Sequence, residues 1–204
     1  FIVKIKNNMR VCILGNGLSA LSLAKALVNQ NIYVDIFAEK KELKLNKSRT
    51  LGITNNNINF FNENIINIEK LIWRLKKIEI FSENLKKENL LNFENNNNYL
   101  FSIIKNYDLY ELLNKNLYKN KNYKKKLYRS KNLSFINEYD LIINCNYFHN
   151  ITKKYFSKKI VKEYNSRAYT TIIKHQTILN DSAIQIFTKK GPLAFLPISN
   201  FETS

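Results

Sequence analysis

Val11-Cys12-Ile13-Leu14-Gly15-Asn16-Gly17-Leu18-Ser19-Ala20 is the stretch on which the fold turns. An apolar run passes straight into a glycine turn, an order that predicts a strand, a tight bend and a helix whose first amides face an anionic pyrophosphate. Gly15 permits the sharp exit from the strand. Gly17 leaves the backbone bare for a dinucleotide to approach, and Ala20 is the third small residue, where helix and strand pack closely. Leu18, Leu21, Leu23, Ala24, Leu27 and Val28 continue as an apolar stripe at helical spacing, with Asn31 as a left-handed cap. Ile32 to Phe37 reads as a second strand.

A ribose-binding acid is expected about 20 residues after the first glycine, at the end of that second strand. Ala38 stands there and Glu39 follows. Glu39 reaches the ribose if the strand end bulges; equally, it opens the solvated charge run Glu39-Lys40-Lys41-Glu42.

The 204 residues are 45% hydrophobic, enough for a sizeable core in one large domain or two interleaved small ones, which excludes a disordered chain. A formal charge of +17 would normally indicate nucleic acid or an anionic surface. Lys, Asn, Ile, Phe and Tyr are abundant together while Gly (4), Pro (2) and Trp (1) are scarce, the joint bias of an AT-rich genome, so the charge carries little functional weight. Cys12 and Cys145 both fall in apolar runs without metal-ligand spacing and read as small buried core residues of a reducing compartment. No apolar stretch reaches the length of about 18 residues needed to cross a membrane. A cytoplasmic protein is expected, with peripheral association at the inner membrane as the alternative. Phe1 opens the chain and Met9 stands just before the first strand, so Met9 reads as the natural start of a protein present here as a fragment.

Further along, 55–67 reads as a helix with Ile58, Phe61, Ile65 and Ile66 on one side, 78–82 as a strand, 83–98 as polar and turn-like, 100–104 as a strand and 108–117 as a helix. The tract from Lys119 to Lys131 interleaves cations with tyrosines; it reads as a solvated connection or, alternatively, as a surface for phosphate backbones. Leu141 to Cys145 reads as a buried strand, and 170–173 and 183–187 alternate like strands. His149 and His175 stand alone in sequence, without the partners of a catalytic triad or metal cluster.

Taken in order, the glycine turn, the box Ser48-Arg49-Thr50-Leu51 and the late stretch Phe187-Thr188-Lys189-Lys190-Gly191-Pro192-Leu193-Ala194-Phe195-Leu196-Pro197 resemble the ubiquinone-biosynthesis hydroxylases. These are FAD-dependent aromatic monooxygenases with the fold of para-hydroxybenzoate hydroxylase. The likeness implies an α/β protein in which a Rossmann-like FAD-binding domain, residues 9–70 and 99–155, is interleaved with a mostly β substrate domain, residues 71–98 and 156–204. Arg49 takes the place of the arginine that lies along FAD in that family, and a guanidinium suits pyrophosphate or ribityl oxygens through paired donors. Outside the resemblance Arg49 is an ordinary surface arginine.

Asn106-Tyr107-Asp108-Leu109 resembles the segment that opens a helix beside the flavin, with Asn106 where an arginine is usual. Asn144-Cys145-Asn146-Tyr147 is similar to a strand that ends in an Asp-Gly pair, and here Asn146 keeps an acceptor without the charge while Tyr147 removes the freedom of glycine. The resemblance thus implies FAD held by Gly15, Gly17, Leu18, Ser19, Ala20, Glu39, Arg49, Asn106 and Asn146. NAD(P)H is the implied co-substrate, and oxygen and a polyprenyl phenol or quinone precursor are the implied reactants. No catalytic acid or base is apparent, and no metal or specific nucleic acid is expected. A flavin dehydrogenase or reductase that does not activate oxygen, and a non-catalytic accessory member, are the alternatives.

Overall fold

A computed structural model describes residues 9–39, 46–83, 89–95, 98–128, 137–147, 149–155 and 160–204. In chain order the elements are β1 (Arg10–Leu14), α1 (Leu18–Asn29), β2 (Tyr33–Glu39), β3 (Thr50–Ile53), α2 (Asn55–Asn64), β4 (Ile72–Leu75), β5 (Lys77–Ser82), β6 (Asn89–Glu94), β7 (Phe101–Lys105), α3 (Asn106–Tyr118), β8 (Tyr123–Tyr128), β9 (Leu141–Asn144), α4 (Asn150–Tyr155), β10 (Ile173–Lys174), β11 (Ser182–Thr188), β12 (Gly191–Phe195) and β13 (Glu202–Thr203). They gather into two compact units, one comprising Phe1–Leu45, Asn64–Ile66 and Tyr110–Ser166, the other Asn46–Glu63, Asn67–Leu109 and Arg167–Ser204. This is a division by compactness and not by ligand.

The first unit is Rossmann-like. Its sheet runs β8-β2-β1-β9 with every pairing parallel. Because β1 is flanked on both sides, Val11, Cys12, Ile13 and Leu14 are fully buried, which is why that strand reads as an unbroken apolar run. Each such side chain contributes about 1.5–3 kcal/mol relative to exposure. Helix α1 buries Ala20, Leu21, Ala24 and Val28. It ends as expected: Asn31 adopts φ 60°, and the amides of Gln30 and Asn31 turn back to the carbonyls of Leu27 and Val28. Cys12, Leu14 and Phe37 form a second core patch with Tyr139, Ile142 and Ile151 against it.

Among the described residues of this sheet, Asp35, on β2, is the one buried charge. Its Oδ2 accepts from the Tyr139 hydroxyl at 2.5 Å and from Lys126 Nζ at 2.7 Å, with Arg10 Nη2 at 3.5 Å. The cations are in turn packed on rings, Arg10 over Tyr139 and Lys126 over Phe37. Burial pushes the neighbouring Cys12 thiol up to about 12, helped by the Asp35 charge, so this cysteine is an inert core residue as expected.

The second unit is mostly β. It holds a four-stranded sheet β12-β11-β5-β6, a three-stranded antiparallel sheet β3-β7-β4 and the short pair β10-β13. Leu75, Ile103 and Ala183 form its core with Trp73, Phe101, Leu196 and Ile198. Asn180 ties the core to the last hairpin: its carbonyl accepts from Trp73 Nε1 at 2.7 Å, and its side chain donates to the Ser199 carbonyl and to Thr203 Oγ1.

Several expectations need correction. The basic tract is not a plain connection, since Tyr123–Tyr128 forms β8, whose lysines are held in regular register on β2. The segment read as turn-like contains β6, an exposed strand paired only with β5, so no apolar alternation marks it. The helix read over 55–67 stops at Asn64, where the Asn29 amide donates to the carbonyls of Asn64 and Ile65. Strand β9 ends one residue early, which leaves Cys145 exposed and not in the core.

Burial alone would raise Asp35, yet hydrogen bonds from Lys126 and Tyr139 and the charges of Lys126 and Arg10 hold its carboxyl below the ordinary value. With the folded value depressed, the unfolded chain binds the proton more readily. The stabilisation is therefore present above the ordinary Asp value of about 3.9 and is lost as pH falls through the folded one. Denaturant melts at stepped pH are expected to lose stability below about pH 4. Asp35→Asn should flatten that limb and lower stability at pH 7 by about 1–3 kcal/mol.

Candidate functional site

In the first unit the site begins where β1 stops. Gly15 adopts φ +109°, and its amide donates to the Phe37 carbonyl at 2.8 Å. A Cβ here would lie 3.3 Å from the Asn146 nitrogen and from the Cys145 carbonyl carbon, so the conformation favours glycine and the space for a side chain is tight. Gly17 differs. Its backbone is extended, with φ −77° and ψ 179°, and a Cβ would meet nothing within 4 Å. Gly17 is the N-cap of α1 and supplies no side-chain cap, and the first helical turn carries no acid. The first return bond runs from the Leu21 amide to the Gly17 carbonyl at 3.0 Å. The positive end of the α1 dipole thus opens beside empty space. Leu18 is half-buried, Ser19 exposed and Ala20 fully buried, the last consistent with close packing of helix on strand.

Strands β2 and β9 lie on opposite sides of β1, so the chain order switches at β1, the position at which open parallel sheets form a ligand crevice outside their carboxyl ends. Asn146, half-buried, follows β9 directly and forms the wall beside Gly15. Glu39 closes β2 opposite Tyr128 in unbroken parallel register, without the bulge considered from the sequence; its side chain lies outside the described residues.

In the second unit Arg49 and Asn106 come together. The Asn106 amide donates to the Arg49 carbonyl at 3.0 Å. The residues flanking Arg49 are anchored, Ser48 Oγ on the Thr170 carbonyl at 3.0 Å and Thr50 Oγ1 on Ser204 Oγ at 3.0 Å. The Arg49 side chain is exposed, and no hydrogen bond or ion pair engages it among the described residues. Asn106 Oδ1 is buried without a partner at the start of α3, a polar atom left for something else to satisfy. Nearby, Ile103, Ile198, Phe201, Lys105, Asp108 and Glu202 help to line a cavity of about 290 Å³, with Lys105 paired to Glu202 at 2.8 Å. The Lys105 hydrogen bond holds the Glu202 carboxyl below its usual range.

The predicted residues thus form two groups, Gly15, Gly17 and Asn146 in one unit and Arg49 and Asn106 in the other. Sequence reasoning passed over Asn144, whose Oδ1 accepts the Asn146 amide at 3.0 Å. The Asn-x-Asn spacing is a signal for such a side-chain turn. Among the described residues no cluster of His, Cys, Asp or Glu could hold a metal ion.

In the first unit the residues present fit a dinucleotide diphosphate, a glycine turn with open space above Gly17 and an uncapped helix start. No protein-family model and no curated protein matches the sequence. Solved structures do match. PqsL from Pseudomonas aeruginosa, described as a probable FAD-dependent monooxygenase, shares 12% identity over 97% of this chain and 59% of its own, with a TM-score of 0.68. HpxO from Klebsiella pneumoniae, complexed with FAD, shares 12% identity over 96% of this chain and 56% of its own, also at 0.68. The tetrameric form of 2-methyl-3-hydroxypyridine-5-carboxylic acid oxygenase shares 11% over 97% and 57%, at 0.63. The fold is that of the FAD-dependent monooxygenases. This chain spans less than two thirds of the length of each of these three proteins.

The two glycines should separate in their response to alanine. Gly15→Ala is expected to destabilise the chain by about 1–3 kcal/mol, from positive φ and backbone crowding. Gly17→Ala should cost less than about 1 kcal/mol, the loss of a preferred N-cap residue only. Paired denaturant melts give both values.

Proposed function

We propose that this chain is the FAD-binding and substrate-sheet portion of a flavin-dependent monooxygenase that acts on an aromatic ring. The observation that carries the reading is the Gly15–Gly17 turn, with an uncapped helix start facing open space at the β1/β9 switch point. In this reading the amides of Leu18 and Ser19 bind the diphosphate. The guanidinium of Arg49 binds diphosphate or ribityl oxygens through paired donors, and Asn106 presents its unsatisfied Oδ1 to a ligand hydroxyl. Glu39 is proposed for the adenosine ribose. Once reduced by NAD(P)H, FAD supplies oxygen activation and the delivery of one oxygen atom to an electron-rich ring. The cavity offers a ring the apolar side chains of Ile103, Ile198 and Phe201 beside the polar groups of Lys105, Asp108 and Glu202.

A polyprenylated phenol or quinone precursor of ubiquinone is the proposed substrate, on the strength of the Gly191-to-Pro197 stretch and the Arg49-Thr50 box. Such a substrate would bring the protein to a membrane surface, and no helix among the described residues is long and apolar enough to cross one. The altered Asn146-Tyr147 pair favours a second reading, an accessory member of the fold without catalysis.

Purified full-length protein is expected to be yellow and to consume oxygen only when NAD(P)H and a prenylated phenol are both present. Gly17→Val should raise the FAD dissociation constant at least about tenfold, with the melting temperature nearly unchanged. Flavin turnover without substrate-dependent oxygen uptake would assign a reductase, and a colourless protein would assign the accessory role.

A further inference from the structure

We infer that Asn144 and Thr152 are positioning residues that set the wall of the dinucleotide crevice, an inference that rests on the flavoprotein reading above. Asn144 is the last residue of β9. Its Oδ1 accepts the Asn146 amide at 3.0 Å, and its Nδ2 donates to Thr152 Oγ1 at 2.8 Å on α4. The second grip on Asn146 comes from the other side. The His149 amide donates to the Asn146 carbonyl at 3.0 Å, and the Thr152 amide donates to the His149 carbonyl at 2.9 Å. The N–H and the C=O of Asn146 are therefore both held, and both ties lead to Thr152.

The consequence lies at Gly15. The Asn146 nitrogen and Cβ stand 3.3 and 3.4 Å from the point where a Gly15 Cβ would be. An inward shift of Asn146 would press on the turn, and an outward shift would widen the crevice beside it. A primary amide at 144 is the group that accepts from Asn146 and donates to Thr152 at the same time. Aspartate would lose the donor and set a charge next to the place proposed for a diphosphate. Neither Asn144 nor Thr152 is assigned a contact with the ligand; both act through Asn146.

The test is FAD titration of the full-length protein, followed by flavin fluorescence quenching and by the visible circular dichroism of the bound flavin, alongside the melting temperature of the FAD-free protein. Asn144→Ala is expected to raise the FAD dissociation constant about three- to tenfold and to change the dichroism of the bound flavin. Thr152→Val should weaken binding about threefold, and Thr152→Ser, which keeps the hydroxyl, should stay within about twofold of the parent. If Asn144→Ala does not fold, the Thr152 pair decides. Equal affinity and dichroism in the parent and in Asn144→Ala, or Thr152→Ser binding as weakly as Thr152→Val, overturns the inference while the flavoprotein reading stands. A parent protein that takes up no FAD overturns both.

Discussion

The hydrogen bond from the Gly15 amide to the Phe37 carbonyl is the constraint on which the first unit depends. It extends the β1–β2 ladder one step past the strand and commits the chain to its turn there. On the other side, the Cys145 amide reaches the Leu14 carbonyl at 2.8 Å and extends the β1–β9 ladder by the same step. The ends of β1 and β9 are thereby fixed level with each other beside Phe37 of β2. The turn that leaves there carries a positive φ at Gly15, a conformation that favours glycine, and a Cβ would crowd the Asn146 and Cys145 backbone. The crevice, the exposed helix start and the position of Asn146 follow from that bend.

In the second unit anchoring takes another form. Ser48 and Thr50 are anchored by their hydroxyls and Arg49 by its carbonyl, while no hydrogen bond or ion pair engages the guanidinium among the described residues. Asn106 presents the complementary case, an acceptor buried before anything arrives to use it.

Much of this was legible in the sequence because local chemistry and tertiary structure agreed. Val11 to Leu14 reads as a buried parallel strand since both neighbours are parallel strands, and the stripe of α1 and the cap at Asn31 follow from helical geometry. Reading failed where the pattern is set by long-range pairing. Strand β8 offers Tyr-Lys-Lys-Lys-Leu-Tyr, and only the parallel register with β2 and the Asp35 carboxylate explain why Lys126 belongs in a sheet. Strand β6 is exposed at every position, so no alternation could betray it. The candidate site was readable at its glycines, whose role is steric. Asn144 was not, because its role lies in two hydrogen bonds that exist only after the chain has turned.

Strand β8 carries a last consequence. Among the described residues it is the outermost of the four parallel strands, the position at which a strand from another molecule would add on. Lys124, Lys125 and Lys126 alternate between the faces of that strand, with Lys126 turned to Asp35. Desolvating a row of ammonium groups opposes any such addition, and the like charge on an incoming copy opposes it further. A lysine run attributable to base composition thus disfavours strand addition along β8.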